Sequence, residues 1–183
     1  VVVTKVPPEK LGRLTRKNHQ GVVGFISPIE FGNIDQIIDS CYSQGKDPLI
    51  LMLDRITDVR NFGAIVRTAE ASGIDAIIVP SRGAAQISGD AMKTSAGALS
   101  LVPICRTNNS VALLRSIKNM GLQLIACTEK TIDTIYEASY SGPTVIIVGS
   151  EESGIDQDIL AIADTRAKIP MFGKIDSLNV SNS

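Results

Sequence analysis

Three separated stretches of this 183-residue chain hold the polar residues best suited to handling a substrate. The first reads Asp54-Arg55-Ile56-Thr57-Asp58-Val59-Arg60-Asn61-Phe62-Gly63, behind an apolar run, and Arg67 follows it. Asn61 and Gly63 suit the start of a helix, where unpaired backbone N–H groups favour an anion, and Arg67 lies one turn further on. A phosphate or carboxylate could sit there, and an asparagine-capped helix with a surface arginine accounts for the same residues. The second, Gly149-Ser150-Glu151-Glu152-Ser153-Gly154, has the outline of a phosphate loop but is followed by Ile155-Asp156 in place of Lys and Ser or Thr. Two carboxylates would repel a triphosphate, which excludes nucleotide hydrolysis. They suit a ligand with positive charge, or are simply solvated acids. The third, from Ile169 to Asn179, offers apolar Ile169, Met171 and Leu178 with polar Ser177 and Asn179. An apolar slot with a few placed polar groups is what a flat aromatic ligand needs, although Met171 by itself reads as readily as core.

These loops need a frame, and the hydrophobic pattern supplies one. Strands are expected at Leu49 to Leu53, Ala76 to Val79, Leu101 to Cys105, Leu122 to Cys127, Thr144 to Val148 and Ala167 to Ile169. Between them, Ala64 to Ser72 closes on Gly73, Ser88 to Leu99 opens on a possible serine cap, and Ser110 to Met120 closes on Gly121. The small residues of Lys93-Thr94-Ser95-Ala96-Gly97-Ala98 fit close helix packing. Upstream, Ile34, Ile37, Ile38 and Cys41 recur at helical spacing before Gly45, whereas Pro7-Pro8 and the polar stretch to Gln20 break any regular period. Strand–helix alternation implies an α/β fold, a mostly parallel sheet with helices on both faces. Such sheets bind ligands beyond the carboxyl ends of their strands, which here means the loops after Leu53, Cys127, Val148 and Ile169. No G-x-G-x-x-G follows any expected strand, so dinucleotide binding is unsupported.

At 44% hydrophobic and 20% charged, the chain can build one well-packed domain, and wholesale disorder is excluded. Cys41, Cys105 and Cys127 lie far apart and His19 is the one histidine, so neither a disulfide framework nor a metal site is expected. No apolar run approaches a membrane span and Val1-Val2-Val3 lacks a signal-peptide layout, which makes the cytoplasm the expected compartment. A formal net charge of -1 offers no global field for a polyanion. A nucleic-acid partner would need a local patch, and Lys5, Lys10, Arg13, Arg16 and Lys17 against the single acid Glu9 form either such a patch or a solvated linker.

Taken in order, Asn61-Phe62-Gly63-Ala64-Ile65-Val66-Arg67, Ile147-Val148-Gly149-Ser150-Glu151-Glu152-Ser153-Gly154-Ile155 and Ile169-Pro170-Met171 through Ser177-Leu178-Asn179-Val180-Ser181 resemble the three motifs of the SpoU/TrmH family. These are RNA ribose 2'-O-methyltransferases of the SPOUT class. His19-Gln20-Gly21-Val22-Val23 is similar to the junction behind the small RNA-binding domain of bacterial 23S ribosomal RNA guanosine methyltransferases. The resemblance implies a remnant of that domain and its linker at 1–20, a connector with a short helix at 21–46, and a methyltransferase domain at 47–183 without its C-terminal helix. It also implies a C-terminal trefoil knot, a homodimer, an RNA partner and S-adenosylmethionine as methyl donor. The cofactor would meet Thr128, Gly149, Ile169, Met171 and Leu178, and the catalytic set would be Asn61, Arg67, Glu151, Ser177 and Asn179. A guanidinium gives up its proton far too reluctantly to act as a base, so the expected role of Arg67 is to bind phosphate and stabilise a forming alkoxide, oriented by Asn61 and Glu151. Ser177 and Asn179 would fix the target nucleotide and the cofactor loop. Ribosomal RNA is the expected substrate, with transfer RNA, or RNA binding without catalysis, as the rival readings.

Overall fold

The computed structural model describes residues 4–15, 18–24, 29–173 and 178–182. In chain order its elements are α1 (Pro8–Leu14), β1 (Phe31–Gly32), α2 (Ile34–Ser43), β2 (Leu49–Asp54), α3 (Val59–Ala71), β3 (Ala76–Pro80), α4 (Gly89–Thr94), β4 (Ile104–Thr107), α5 (Ser110–Asn119), β5 (Gln123–Cys127), β6 (Thr144–Gly149), α6 (Gln157–Ile162) and β7 (Thr165–Ala167). Runs such as Leu-Ile-Leu-Met-Leu and Val-Ile-Ile-Val are apolar on both sides of a strand and must be covered twice. The sheet that results has the order β1-β4-β3-β2-β6-β5-β7, and every neighbouring pair is parallel.

Successive side chains of a strand face opposite ways, and the core divides accordingly. Ile50 and Met52 of β2 join Ile34, Ile38, Leu114, Ile117, Ile159 and Leu160 under α2, α5 and α6. Leu51 and Leu53 join Phe62, Ile65, Val66, Ala69 and Ala91 under α3 and α4. The expected three-layer α/β arrangement is therefore present. The segment read as a connector is part of it: β1 pairs with β4, and Ile38 is fully buried.

Several boundaries fall elsewhere than expected, each for a local reason. Helix α3 starts at Val59, because Asp58 and not Asn61 is its cap, its carboxylate accepting from the N–H groups of Arg60 (2.8 Å) and Asn61 (2.7 Å). The helix expected over Ser88 to Leu99 stops at Thr94, where Ala96 and Gly97 turn left-handed and a 3-10 turn covers Ala98–Ser100. That delays the next strand to Ile104. The strand expected at Ala167 to Ile169 lies at Thr165–Ala167. Pro8, at the first position of α1, starts a helix in a stretch read as irregular; α1 buries none of its residues. Cys41, Cys105 and Cys127 are all free thiols.

Candidate active site

All strands being parallel, the loops after β2, β6, β5 and β7 open on one rim of the sheet, in the order in which those strands pair. Asp54, the last residue of β2, lies opposite Gly149, the last of β6. From there the chain leaves β2 into α3 on one face and β6 into α6 on the other, since the two helices bury residues in different core clusters. Diverging connections leave a crevice between them, the place where open α/β sheets take ligands.

The crevice gathers polar groups from three remote segments. Asn61, in the first turn of α3, donates through Nδ2 to Glu151 Oε1 (3.3 Å). Its Oδ1 accepts from Asn179 Nδ2 (3.2 Å). The same Glu151 oxygen takes the backbone N–H of Val180 (3.1 Å), while Asn179 Oδ1 accepts from the N–H of Ser181 (2.9 Å). Asn61 thus spends both ends of its amide on residues 90 and 118 positions away. Glu151 is left exposed with Oε2 uncommitted among the described residues.

Arg67 behaves differently from the expectation. Six residues at about 100° each separate it from Asn61 on the helix, so the two side chains leave by different faces. Neither Asn61 nor Glu151 bonds it; among the described residues its exposed guanidinium has no hydrogen-bond or ion-pair partner. Ser177 lies outside the described residues.

The residues assigned to a cofactor lie along the same rim. Thr128 is buried directly after β5, its N–H bonded to Ala167 O (2.9 Å) and its hydroxyl oxygen accepting from Lys130 N (3.2 Å). Ile169 follows β7 by two residues and is half-buried, whereas Met171 (38% exposed) and Leu178 (41% exposed) leave apolar surface uncovered. Half-covered apolar side chains beside main-chain polar groups fit the adenosine part of a nucleoside cofactor. Gly149 has a different reason for being glycine. A Cβ there would lie 2.2 Å from the carbonyl carbon of Gly154, so its own loop, and not a ligand, forbids a side chain. Grooves along α1 and between α5 and α6 are lined by none of these residues.

Two residues beneath the rim, quoted in the first stretch, received no role in the sequence reading. Asp54 is 3% exposed, and its Oδ2 accepts from Asp156 N (2.8 Å) and Arg55 Nε (3.2 Å). Arg55 also donates to the Gly154 carbonyl (3.3 Å). A carboxylate ending an otherwise apolar strand was the available signal for Asp54. Nothing local marks its partner, 102 residues on. Among the described residues no His, Cys, Asp and Glu cluster could hold a metal ion, and no helix is long and apolar enough to cross a membrane.

The model of the SpoU rRNA Methylase family matches residues 48–183. The 23S rRNA (guanosine-2'-O-)-methyltransferase RlmB of Vibrio parahaemolyticus is 35% identical over 164 residues, which is 90% of this chain and 66% of that protein. A TrmH/SpoU tRNA modifying enzyme from A. aeolicus has a TM-score of 0.67 and 35% identity, over 75% of this chain and 70% of that one. The SpoU methyltransferase AviRb from Streptomyces viridochromogenes, solved with the cofactor AdoMet, has a TM-score of 0.69 and 26% identity, over 74% of this chain and 56% of that one. This chain therefore spans about two thirds of the RlmB protein and just over half of AviRb.

Proposed function

Since this chain belongs to the SpoU rRNA Methylase family, we propose that it methylates the 2'-hydroxyl of a ribose in structured RNA. The donor is S-adenosylmethionine and the target a guanosine of 23S ribosomal RNA. The observation that carries this reading is the hydrogen-bonded chain Asn179–Asn61–Glu151, assembled at the β2–β6 crevice from three segments of the sequence. A transfer-RNA ribose is the second reading, because the transfer-RNA enzyme from A. aeolicus is as similar to this chain, at 35% identity, as RlmB is.

When bound, S-adenosylmethionine supplies a methyl group already activated by its sulfonium. The residues of this chain have two tasks, to position the ribose hydroxyl and to ease the loss of its proton. Arg67 binds the phosphate next to the target ribose and stabilises the oxyanion as it forms. A phosphate oxygen or water takes the proton, since a guanidinium stays protonated in proteins. Asn61 keeps Glu151 and Asn179 in place, so that Glu151 Oε2 and the Asn179 loop meet the nucleotide without reorganising. Ser177 shares the nucleotide-facing role. Ile169, Met171 and Leu178 would hold the adenosine part of the cofactor, together with Thr128 and Gly149.

A C-terminal knot and a homodimer belong to the same reading. Lys168, the residue after β7, makes an isolated parallel bridge with Thr134 of the β5–β6 connection, and Asn179 bonds Asn61; both contacts support the knot. Strongly exposed Ile132, Tyr136 and Phe172 offer apolar surface for a second copy. Incubation with radiolabelled S-adenosylmethionine and either 23S ribosomal RNA or transfer RNA, followed by mapping of the methylated ribose, tests the activity. Label on ribosomal RNA is expected. Label on transfer RNA alone selects the second reading, and cofactor binding with no label on any RNA overturns both.

A further inference from the structure

We propose that Arg55, working through Asp54, is a positioning residue that holds the Glu151 loop in its working geometry, an assignment that rests on the methyl-transfer reading above. Arg55 adopts φ +58°, a left-handed conformation that a side-chain-bearing residue takes only when its surroundings enforce it. Glycine would fit the turn without strain. An arginine in that place needs a reason, and its guanidinium provides one.

From this single backbone position the fork reaches three acceptors. Nε and Nη2 each lie 3.2 Å from Asp54 Oδ2, Nη2 donates to the Gly154 carbonyl at 3.3 Å, and Nη1 lies 4.0 Å from Asp156 Oδ2. Asp54 is buried and would be costly unpaired; besides Arg55 it takes the N–H of Asp156 at 2.8 Å. Gly154 and Asp156 are the returning end of the loop whose outgoing end, Gly149, pairs with Asp54 in the sheet. Gly154 N–H closes that loop on Ser150 O at 2.8 Å, and Gly149 packs directly beneath Gly154. The last residue of β2 and the one after it therefore tie down both ends of the segment that carries Glu151. Asn61 and Val180 then select where its carboxylate points. A shift of about an ångström in such a group costs up to about 100-fold in rate, which gives the clamp its catalytic weight.

The test compares the 183-residue chain with the double variant Asp54→Asn/Arg55→Gly and with Arg55→Lys. The double variant removes both charges together, keeps an acceptor for Asp156 N–H and relaxes the left-handed residue, so the fold survives. Arg55→Lys keeps the charge but loses the fork. In the double variant, kcat for methyl transfer is expected to fall about 10- to 100-fold, with KM for RNA and for S-adenosylmethionine moving less than about threefold. Amide hydrogen exchange across 150–156 is expected to speed up while the β2 and β6 amides stay protected, and Arg55→Lys is expected to fall between the two. Unchanged kcat, or a raised KM for RNA at unchanged kcat, overturns the proposal, the latter because it makes Arg55 a contact for RNA itself. If the unaltered chain transfers no methyl group, the methyl-transfer reading fails. The exchange measurement then decides the clamp alone, and unchanged exchange at 150–156 overturns it.

Discussion

Asn61 is the residue on which the crevice turns, because it donates to Glu151 and accepts from Asn179 with the two ends of one amide. Asn61→Asp has nearly the same shape but sets a carboxylate against the Glu151 carboxylate. Methyl transfer is expected to drop about 100-fold. A kcat that stays near that of the unaltered chain would mean that the hydrogen bond is not what Asn61 supplies. Arg67 calls for a different experiment, since it is exposed and supports nothing in the fold. Arg67→Ala should leave the urea midpoint unchanged and lower kcat by about 100-fold or more, while Arg67→Lys keeps near-full turnover only if a point charge suffices. Asn61, Glu151 and Asn179 were legible in the sequence because each sits in a motif. Their mutual hydrogen bonds were not, and neither was the role of Asp54, whose partner is remote in the chain.

Between elements, α3 and α4 approach closely. A Cβ on Gly63 would lie 1.9 Å from Thr94 Oγ1 and 2.7 Å from Thr94 Cβ, so the helices approach through the space a side chain would fill. Gly63→Ala is expected to destabilise by about 1–3 kcal/mol, read as a lower urea midpoint, because both backbones must move. The small residues around Thr94 thus serve packing, as their sequence suggested, although Ala96 and Gly97 end the helix sooner than its pattern implied. A second contact ties α5 to the start of β5: Lys118 Nζ pairs with Asp164 Oδ1 (2.7 Å) and Leu124 N–H bonds Asp164 Oδ2 (2.8 Å). Partial burial pushes the Asp164 carboxyl up, but Lys118 and the Leu124 N–H together hold it below its ordinary value of 3.8. A group depressed in the folded state adds stability that is present above its unfolded pKa and is lost as pH falls through its folded one. Asp164→Asn should therefore lower the unfolding midpoint at pH 7 and make the difference from the unaltered chain shrink below about pH 4.

For the whole molecule, the sheet extends to residues 31–32, and the core takes in α2. Removing residues 1–24 should leave the melting temperature and S-adenosylmethionine binding unchanged, since α1 buries nothing. Loss of Lys5, Lys10, Arg13, Arg16 and Lys17 should flatten the salt dependence of RNA binding. Removing residues 1–46 instead uncovers the pocket of Ile34 and Ile38 and should give a chain that melts far lower or aggregates, which circular dichroism would report. The amino-acid sequence by itself determined the strand–helix alternation, the parallel sheet covered on both faces and the three motif segments. Those properties follow from local periods and local residue chemistry, which a linear chain displays openly. Only the tertiary structure decided that β6 returns beside β2, that the segment before the first long strand joins the core, and that Asp54 and Arg55 hold the Glu151 loop. Which strand pairs with which is a choice among distant partners of similar apolar character, and no local period encodes it.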